Sequence, residues 1–515
     1  MENTMYYSLL DDPIISVRFT NDEVSKTNLP DILTALTEDR VLSFEALQSH
    51  QQQPWFSFLV QLAAMAVARE NYGKIPSEAN RWRAILIALA DGSKAAWHLV
   101  VEDVSQPAFM QSPVPEGSLE DAGYDQVYKT PDDLDMLLTT KNHEIKRHRI
   151  SNPKFEHWIY SLITLQTLEG YSGRDNYGII RMNGGRGNRP LIGLTPNLSW
   201  NNRFQRDLNV LLNNRNELLK NYNSNGFSLL WLSEWNGSKK HAIPIYECDP
   251  YFIEICRRIR FNLVDDLSLR CWKKSTKSKR ISAPDNLNGK TNDPWTPIIK
   301  NEGKALSVDK YGFLYNRLQA ILLGEEFKKP IALEFDDQEK KGAYLIAMAL
   351  VRGKSETKGF YRRILKISER ISSILLNNSE NKELLAKRSS ERVALAAKTQ
   401  SELIKPTIRI LLRGGLNKNI TREQMQKENE KLKVWIDRFD REIDRRFFDS
   451  LWVSVEMEPE EAKREWVEVL LEEAEKQILQ AEHSIPISQI RRLRAISKAR
   501  SVFYGRVKDV LEFSG

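Results

Sequence analysis

From residue 360 to its end the chain reads as almost continuous helix, with long, charged, amphipathic segments at 360–376, 381–413, 421–455, 459–485 and 488–513. Only Pro406, Pro459, Pro486 and the Gly414-Gly415 pair interrupt the pattern. Helices of this length must bury an apolar stripe, and short turns between them make antiparallel neighbours, so the segment is expected to close on itself as a bundle. What precedes it is different in kind. The expected fold is therefore α+β: a large mixed α/β N-terminal domain over residues 1–359, followed by a C-terminal helical, four-helix-type bundle over 360–515.

At 515 residues the chain exceeds one ordinary core, which agrees with two domains. Residues 14–19 alternate as a half-buried strand does, and helical patterns follow at 28–37, 43–48, 54–70 and 80–90. The third carries Trp55, Phe56, Leu59, Val60, Leu62 and Ala63 on one broad face, a core face rather than an interface. Residues 107–153 break into turns. A helix resumes at 155–167, with Trp158, Ile159, Leu162 and Leu165 at helical spacing. From 179 to 335 strands and loops are expected to dominate, with strand candidates at 228–232, 243–246 and 305–308. No basic head precedes an apolar run, and runs such as 56–68 are interrupted by polar residues, so neither a signal peptide nor a membrane span is expected. The three cysteines, Cys248, Cys256 and Cys271, match neither a zinc ribbon nor a redox pair; the expectation is a reducing cytoplasm, with no disulfide and no metal.

Net charge is +7, but 69 acidic residues accompany 76 basic ones, so any polyanion site must be local. Residues 170–190, GYSGRDNYGIIRMNGGRGNRP, hold six glycines and four arginines. Backbone without Cβ atoms can take φ > 0 and approach a ligand closely, and arginines supply charge. Asn176, Asn183 and Asn188 add neutral groups of the kind that read groove edges. Alone, the stretch would equally be Gly-rich turns with solvated arginines. Two further basic, turn-rich segments favour a nucleic-acid role: residues 141–150, KNHEIKRHRI, and 272–280, WKKSTKSKR.

Catalytic signatures are missing. Gly353-Lys354-Ser355 has Met348 where a phosphate-binding loop needs its first glycine, and no HExxH or HxH occurs. His143 and His148 lie five apart, a poor spacing for one helix face. Asp132, Asp133 and Asp135 follow Thr130-Pro131 and read as the acidic first turn of a helix.

In order, KNHEIKRHRI, the glycine-rich segment, Asp293-Pro294-Trp295-Thr296-Pro297-Ile298, residues 352–363 (RGKSETKGFYRR) and the helical run resemble the CasA family, the large subunit of the type I-E CRISPR Cascade complex. Residues 107–111, PAFMQ, resemble that family's early segment. The resemblance spans most of the chain. It implies a non-catalytic, cofactor-free protein that recognises the protospacer-adjacent motif in double-stranded DNA from the minor groove. Such a protein promotes duplex opening and R-loop formation and recruits a helicase-nuclease, while guide RNA pairing reads the target sequence. The implied partners are the guide RNA, the backbone, small and guide-end-binding subunits of Cascade, the target duplex and the helicase-nuclease.

The resemblance also implies roles for residues. A glycine loop against the minor groove corresponds to residues 170–178, with Gly170 and Gly173 nearest the contact and Arg174 and Asn176 beside them. A lysine finger corresponds to Lys273, Lys274 or Lys277. The wedge hairpin corresponds to residues 354–358, with Lys354, Ser355 and Glu356 as its DNA-binding residues; Ser355 and Glu356 occupy the tip where the family has a glutamine, and a carboxylate there faces phosphate repulsion. Lys141, Asn142 and His143 would meet the guide RNA or a neighbouring subunit. The bundle would lie along the displaced strand and contact the small subunits, with Arg491, Arg492, Arg494, Lys498 and Arg500 as a basic run for single-stranded nucleic acid. The chain lacks the cysteine cluster that some members use for zinc. Two other readings stay open: a metal-dependent nuclease with dispersed carboxylates, and a stand-alone RNA-binding protein.

Overall fold

Asn28 starts the first helix: its side-chain oxygen accepts the backbone N–H of Asp31 at 3.0 Å, Pro30 fits the first turn, and Leu29–Thr37 follows. The computed structural model describes residues 7–70, 74–137, 150, 152–182, 187–264, 268–353, 356–377, 380–416 and 420–511, apart from the side chains of Glu356 and Leu511. The chain forms two compact units, Met1–Gly312 with Glu326–Leu376, and Phe313–Glu325 with Asn377–Gly515.

In the first unit, helix Gln52–Arg69 is buried nearly all round, Trp55, Phe56, Phe58 and Leu62 included, so it forms the centre of a core rather than one wall of it. Helix Phe155–Leu168 is likewise buried along its length. Around them lie small antiparallel sheets. Ile15–Phe19 pairs with Val24–Thr27 and with Val41–Phe44; Ser268–Lys274 pairs with Gln126–Tyr128 and Arg258–Val264; Ala343–Gly353 pairs with Leu191–Thr195 and Glu356–Ile367.

Several sequence expectations are corrected here. Residues 43–48 are not a helix: Val41–Phe44 is a strand with Phe44 opposite Val17, because a segment so short cannot nucleate a helix and its aromatic ring is held between Trp55 and Trp200 at 5.5 and 4.9 Å. The stretch read as strands and loops contains helix Trp200–Leu218, capped by Ser199; its many Asn and Arg residues disguise the Phe204, Leu208 and Leu211 stripe. Lys273 and Lys274 lie in strand Ser268–Lys274, not in a turn.

Residues 360–376 are also not one helix. Glu356–Ile367 is the second strand of a long hairpin, paired with Ala343–Gly353 in one register from Ala343 opposite Ile367 to Val351 opposite Gly359, after which a one-residue shift sets Arg352 opposite Thr357 and Gly353 opposite Glu356. Phe360, Ile364 and Leu365 suit a helix period as well as a strand, and an apolar partner strand decides the matter. A domain boundary at residue 359 thus falls inside a paired strand. Helix Glu369–Leu376 closes the first unit instead.

The second unit is helical: Tyr315–Leu322, Glu380–Lys398, Lys405–Leu412, Arg422–Val453, Pro459–Ser484 and Gln489–Leu511. Residues 313–325, expected in the N-terminal domain, belong here, with the Tyr315 ring 4.9 Å from that of Phe447 and its hydroxyl on Asp440 at 3.2 Å. Leu432, Trp435, Phe439, Ile443, Phe447 and Leu451 repeat every three or four residues and are buried, the stripe that the bundle requires. Trp466 fills the facing position, its indole N–H on the carbonyl of Arg392 at 3.1 Å and the Arg392 guanidinium 5.0 Å above its ring. Pro406 is absorbed by a π-helical stretch, Thr399–Ile404, and Gly414 and Gly415, at φ 59° and 78°, end the helix before them.

Candidate nucleic-acid interface

Helix Phe155–Leu168 runs directly into the glycine loop. The loop's neck is backbone closed by backbone: Ile179 N–H donates to the carbonyl of Glu169 at 3.0 Å, Ser172 N–H to Asn176 at 3.1 Å, and Asn176 N–H to Gly173 at 3.1 Å. Gly170 and Gly178 press together at the neck, where a Cβ on Gly178 would stand 2.2 Å from the carbonyl carbon of Gly170. Gly173 lies at the tip with φ 134°, and a Cβ there would meet nothing within 4 Å. The adjoining Arg174 side chain is 95% exposed. Asn176 is half-buried, its amide donating to the carbonyl of Arg174 at 3.3 Å.

The lysine segment reaches this tip. Strand Ser268–Lys274 ends beside it, and Thr276 N–H donates to the carbonyl of Asp175 at 2.9 Å, while Lys277 N–H donates to Gly237 at 2.9 Å. The candidate lysines then separate by environment. Lys273 is half-buried, its ammonium donating to the Tyr128 hydroxyl at 3.2 Å; Lys274 lies 3.4 Å from the Asp125 carboxylate; Lys277 is exposed. Arg174 and Lys277 are thus exposed cations on two chain segments that a backbone bond holds together.

Under the loop lies a charged cluster that sequence reasoning missed. Arg257 is buried and donates to the Tyr177 carbonyl, to the Ser172 hydroxyl at 2.9 Å and to the carbonyl of Cys256 at 2.9 Å, and it pairs with one carboxylate oxygen of Glu169. The other oxygen of Glu169 takes Arg352, at the end of the hairpin's first strand. Burial alone would raise the Glu169 carboxyl, yet the charges of Arg257, Arg352 and Lys273 hold it below its ordinary range. One local signal was present: Glu169 is an acid standing immediately before an otherwise basic, glycine-rich run.

Other residues of residues 170–190 and of the Asp-Pro-Trp motif serve packing. Arg181 and Arg189 are buried on Asp293 at 2.7 and 2.8 Å, and Arg181 lies 3.9 Å from Glu254. Asn188 accepts Gly170 N–H at 3.4 Å and donates to the carbonyl of Leu350 at 2.8 Å, so it is a buried brace and not a groove reader. Trp295 donates to Asp207 at 2.8 Å, and Thr296 to the carbonyl of Pro190 at 2.9 Å. Arg280 likewise spends its guanidinium on the carbonyls of Leu230, Ser233, Glu234 and His241.

Lys141, Asn142, His143, Lys354, Ser355 and Asn183 lie outside the described residues; the backbone of Glu356 pairs with Gly353. In the bundle's basic run Arg491 and Arg494 are exposed, whereas Arg500 is bidentate on Glu482 at 2.9 and 2.6 Å, Arg492 donates to the carbonyl of Glu482 and Lys498 to that of Gly415. Asp133 caps the short helix Pro131–Leu134, Asp132 accepts Ile150 N–H at 3.0 Å and Asp135 accepts His50 at 2.7 Å. Cys248, Cys256 and Cys271 are buried, unbridged thiols whose ionisation burial opposes. Among the described residues no cluster of His, Cys, Asp and Glu is placed to hold a metal ion, and no helix is long and apolar enough to cross a membrane.

No protein-family model matches the chain, and no curated protein matches it. Solved structures do. Cse1 of Thermobifida fusca is similar with a TM-score of 0.65 and 11% identity over 99% of both chains. The CRISPR-associated protein Cse1 of Acidimicrobium ferrooxidans is similar with a TM-score of 0.64 and 12% identity over 100% of both. A chain of a CRISPR RNA-guided surveillance complex is similar with a TM-score of 0.56 and 11% identity, over 97% of this chain and 99% of that one. Mixed sheets and helices followed by a helical unit are thus, along the whole chain, the fold of the Cse1/CasA proteins.

Proposed function

We propose that the protein is the large, non-catalytic subunit of a type I-E Cascade complex, reading the protospacer-adjacent motif in duplex DNA through the minor groove. The observation that carries this reading is the Asp175–Thr276 backbone bond, which joins a turn entered through Gly173, where a Cβ would meet open space, to the lysine segment, with the exposed Arg174, 3.9 Å from the Asp175 carboxylate, on one and the exposed Lys277 on the other. A groove about 6 Å wide admits backbone and slender cationic side chains more readily than a helix. The fold shared with Cse1 proteins and with a chain of a surveillance complex supports membership in such an assembly. On this reading the long hairpin Ala343–Gly353 with Glu356–Ile367 starts strand separation next to the motif, and the segment holding Lys141, Asn142 and His143 meets the guide RNA or an adjoining subunit. The exposed Arg491 and Arg494 offer charge to a displaced strand, and a helicase-nuclease is recruited to cut it.

The test is binding of the reconstituted guide-RNA complex, with and without this chain, to matched targets beside a randomised motif. Motif preference that depends on the chain is the expected result. Magnesium-dependent cleavage by the chain alone would instead establish a nuclease, and RNA affinity without motif preference a stand-alone RNA binder.

A further inference from the structure

Two side-chain bridges join the neck of the glycine loop to one strand of the long hairpin, in addition to the backbone bonds within each element. The loop closes through its own backbone bonds, and the hairpin is a backbone ladder. Across the gap, Asn188 links Gly170 to Leu350, and Glu169 links Arg257 under the loop to Arg352, two residues further along the strand. The Glu169 carboxylate is buried, and the Arg352 side chain is only 17% exposed, so water screens this pair little. A charged contact of that kind has direction and strength that an apolar contact lacks.

We propose that Glu169 and Arg352 are positioning residues which couple the two elements, so that a duplex held by the glycine loop sets where the hairpin meets the adjoining base pairs. This deepens the reading of the chain as a motif-reading subunit and rests on it. Arg352 touches no nucleic acid in this role; it transmits the position of the loop to the strand. The coupling separates two steps that a single contact surface would merge: holding the motif, which belongs to the loop and the lysine segment, and opening the duplex, which belongs to the hairpin.

The experiment uses whole reconstituted complexes carrying Arg352→Ala or Arg352→Lys. Three quantities are read: affinity for a short motif duplex with an unmatched flank, opening of a matched target reported by 2-aminopurine beside the motif, and opening-independent binding to a target with those base pairs already mismatched. With Arg352→Ala, motif affinity should stay within about twofold while opening slows about tenfold, the scale of one lost charge-assisted bond. The pre-opened target should restore binding, and Arg352→Lys should recover part of the opening rate. Unchanged opening would overturn the coupling. So would a parallel loss of motif affinity that the pre-opened target does not rescue, since that marks a merely structural contact. A wild-type complex without motif preference would overturn the functional reading itself, and the coupling with it.

Discussion

Thr276 donates its backbone N–H to the carbonyl of Asp175 at 2.9 Å, which ties the end of the lysine-bearing strand to the tip of the glycine loop. Because the bond is backbone to backbone, it sets the spacing of Arg174 and Lys277 whatever their side chains do. The two segments are therefore expected to act as one surface.

Gly173 and Gly178 should respond to substitution differently, the first chiefly in duplex binding and the second chiefly in stability. Gly173→Val adds a side chain into open space at φ 134°, so it should cost about 1–3 kcal/mol of strain while lowering duplex affinity of the complex more than tenfold. Gly178→Ala drives a methyl group into the backbone of Gly170 and should open the neck, lowering thermal stability before any DNA is added. Melting and binding curves for both variants separate the effects. A Gly173→Val complex that binds duplex normally would remove the tip from the interface.

Lys277→Ala should reduce the slope of log affinity against log salt by about one and narrow the difference in affinity between preferred and other motifs, as the loss of a cation from the groove does. Lys274→Ala should change the slope less, since its ammonium already lies against Asp125. Equal slopes for the two variants would contradict the assignment of Lys277 as the exposed finger.

Glu254 should make stability depend on pH. Burial raises its carboxyl to about 7 from an ordinary 4.5, against the opposing pull of Arg181, the Ile180 N–H, Lys279 and Arg189. The folded state therefore holds this proton more tightly than the unfolded chain, and the contribution is complete below pH 4.5 and lost as pH rises through 7. Glu254→Gln keeps an oxygen for the Ile180 N–H. Relative to that variant, the wild type should lose on the order of 1–3 kcal/mol between pH 5 and 8. A difference that stays flat across that range would refute the shift.

Trp466→Ala should cost the helical unit about 3–5 kcal/mol, because it empties a fully buried position between Phe447 and Arg392 and leaves the Arg392 carbonyl without its indole donor. Denaturant unfolding followed by tryptophan fluorescence and circular dichroism would measure it.

The helical C-terminal run was legible because Leu432 to Leu451 repeat at helical spacing and Thr421, Pro459 and Gly414-Gly415 punctuate them, all of it local information. The helix that delivers the chain to Gly170 was legible for the same reason. Residues 360–367 were not, since Phe360, Ile364 and Leu365 satisfy either period until Ala343–Gly353 pairs with them. At the candidate interface, the sequence marked basic and glycine-rich segments but could not rank their charges. Arg181, Arg189 and Arg280 look as available as Arg174 and Lys277.

By itself, then, the sequence determined that a helical bundle would follow a mixed region, and it marked the glycine and lysine segments as candidates for close approach to a polyanion. Tertiary structure alone decided which charges face outward. Asp293 and Glu254 take Arg181 and Arg189 inward, Glu169 takes Arg257 and Arg352, and the carbonyls around Leu230 take Arg280. Each partner comes from a distant stretch of chain, and burial of a charge is permitted only where such a partner arrives, which no local pattern records.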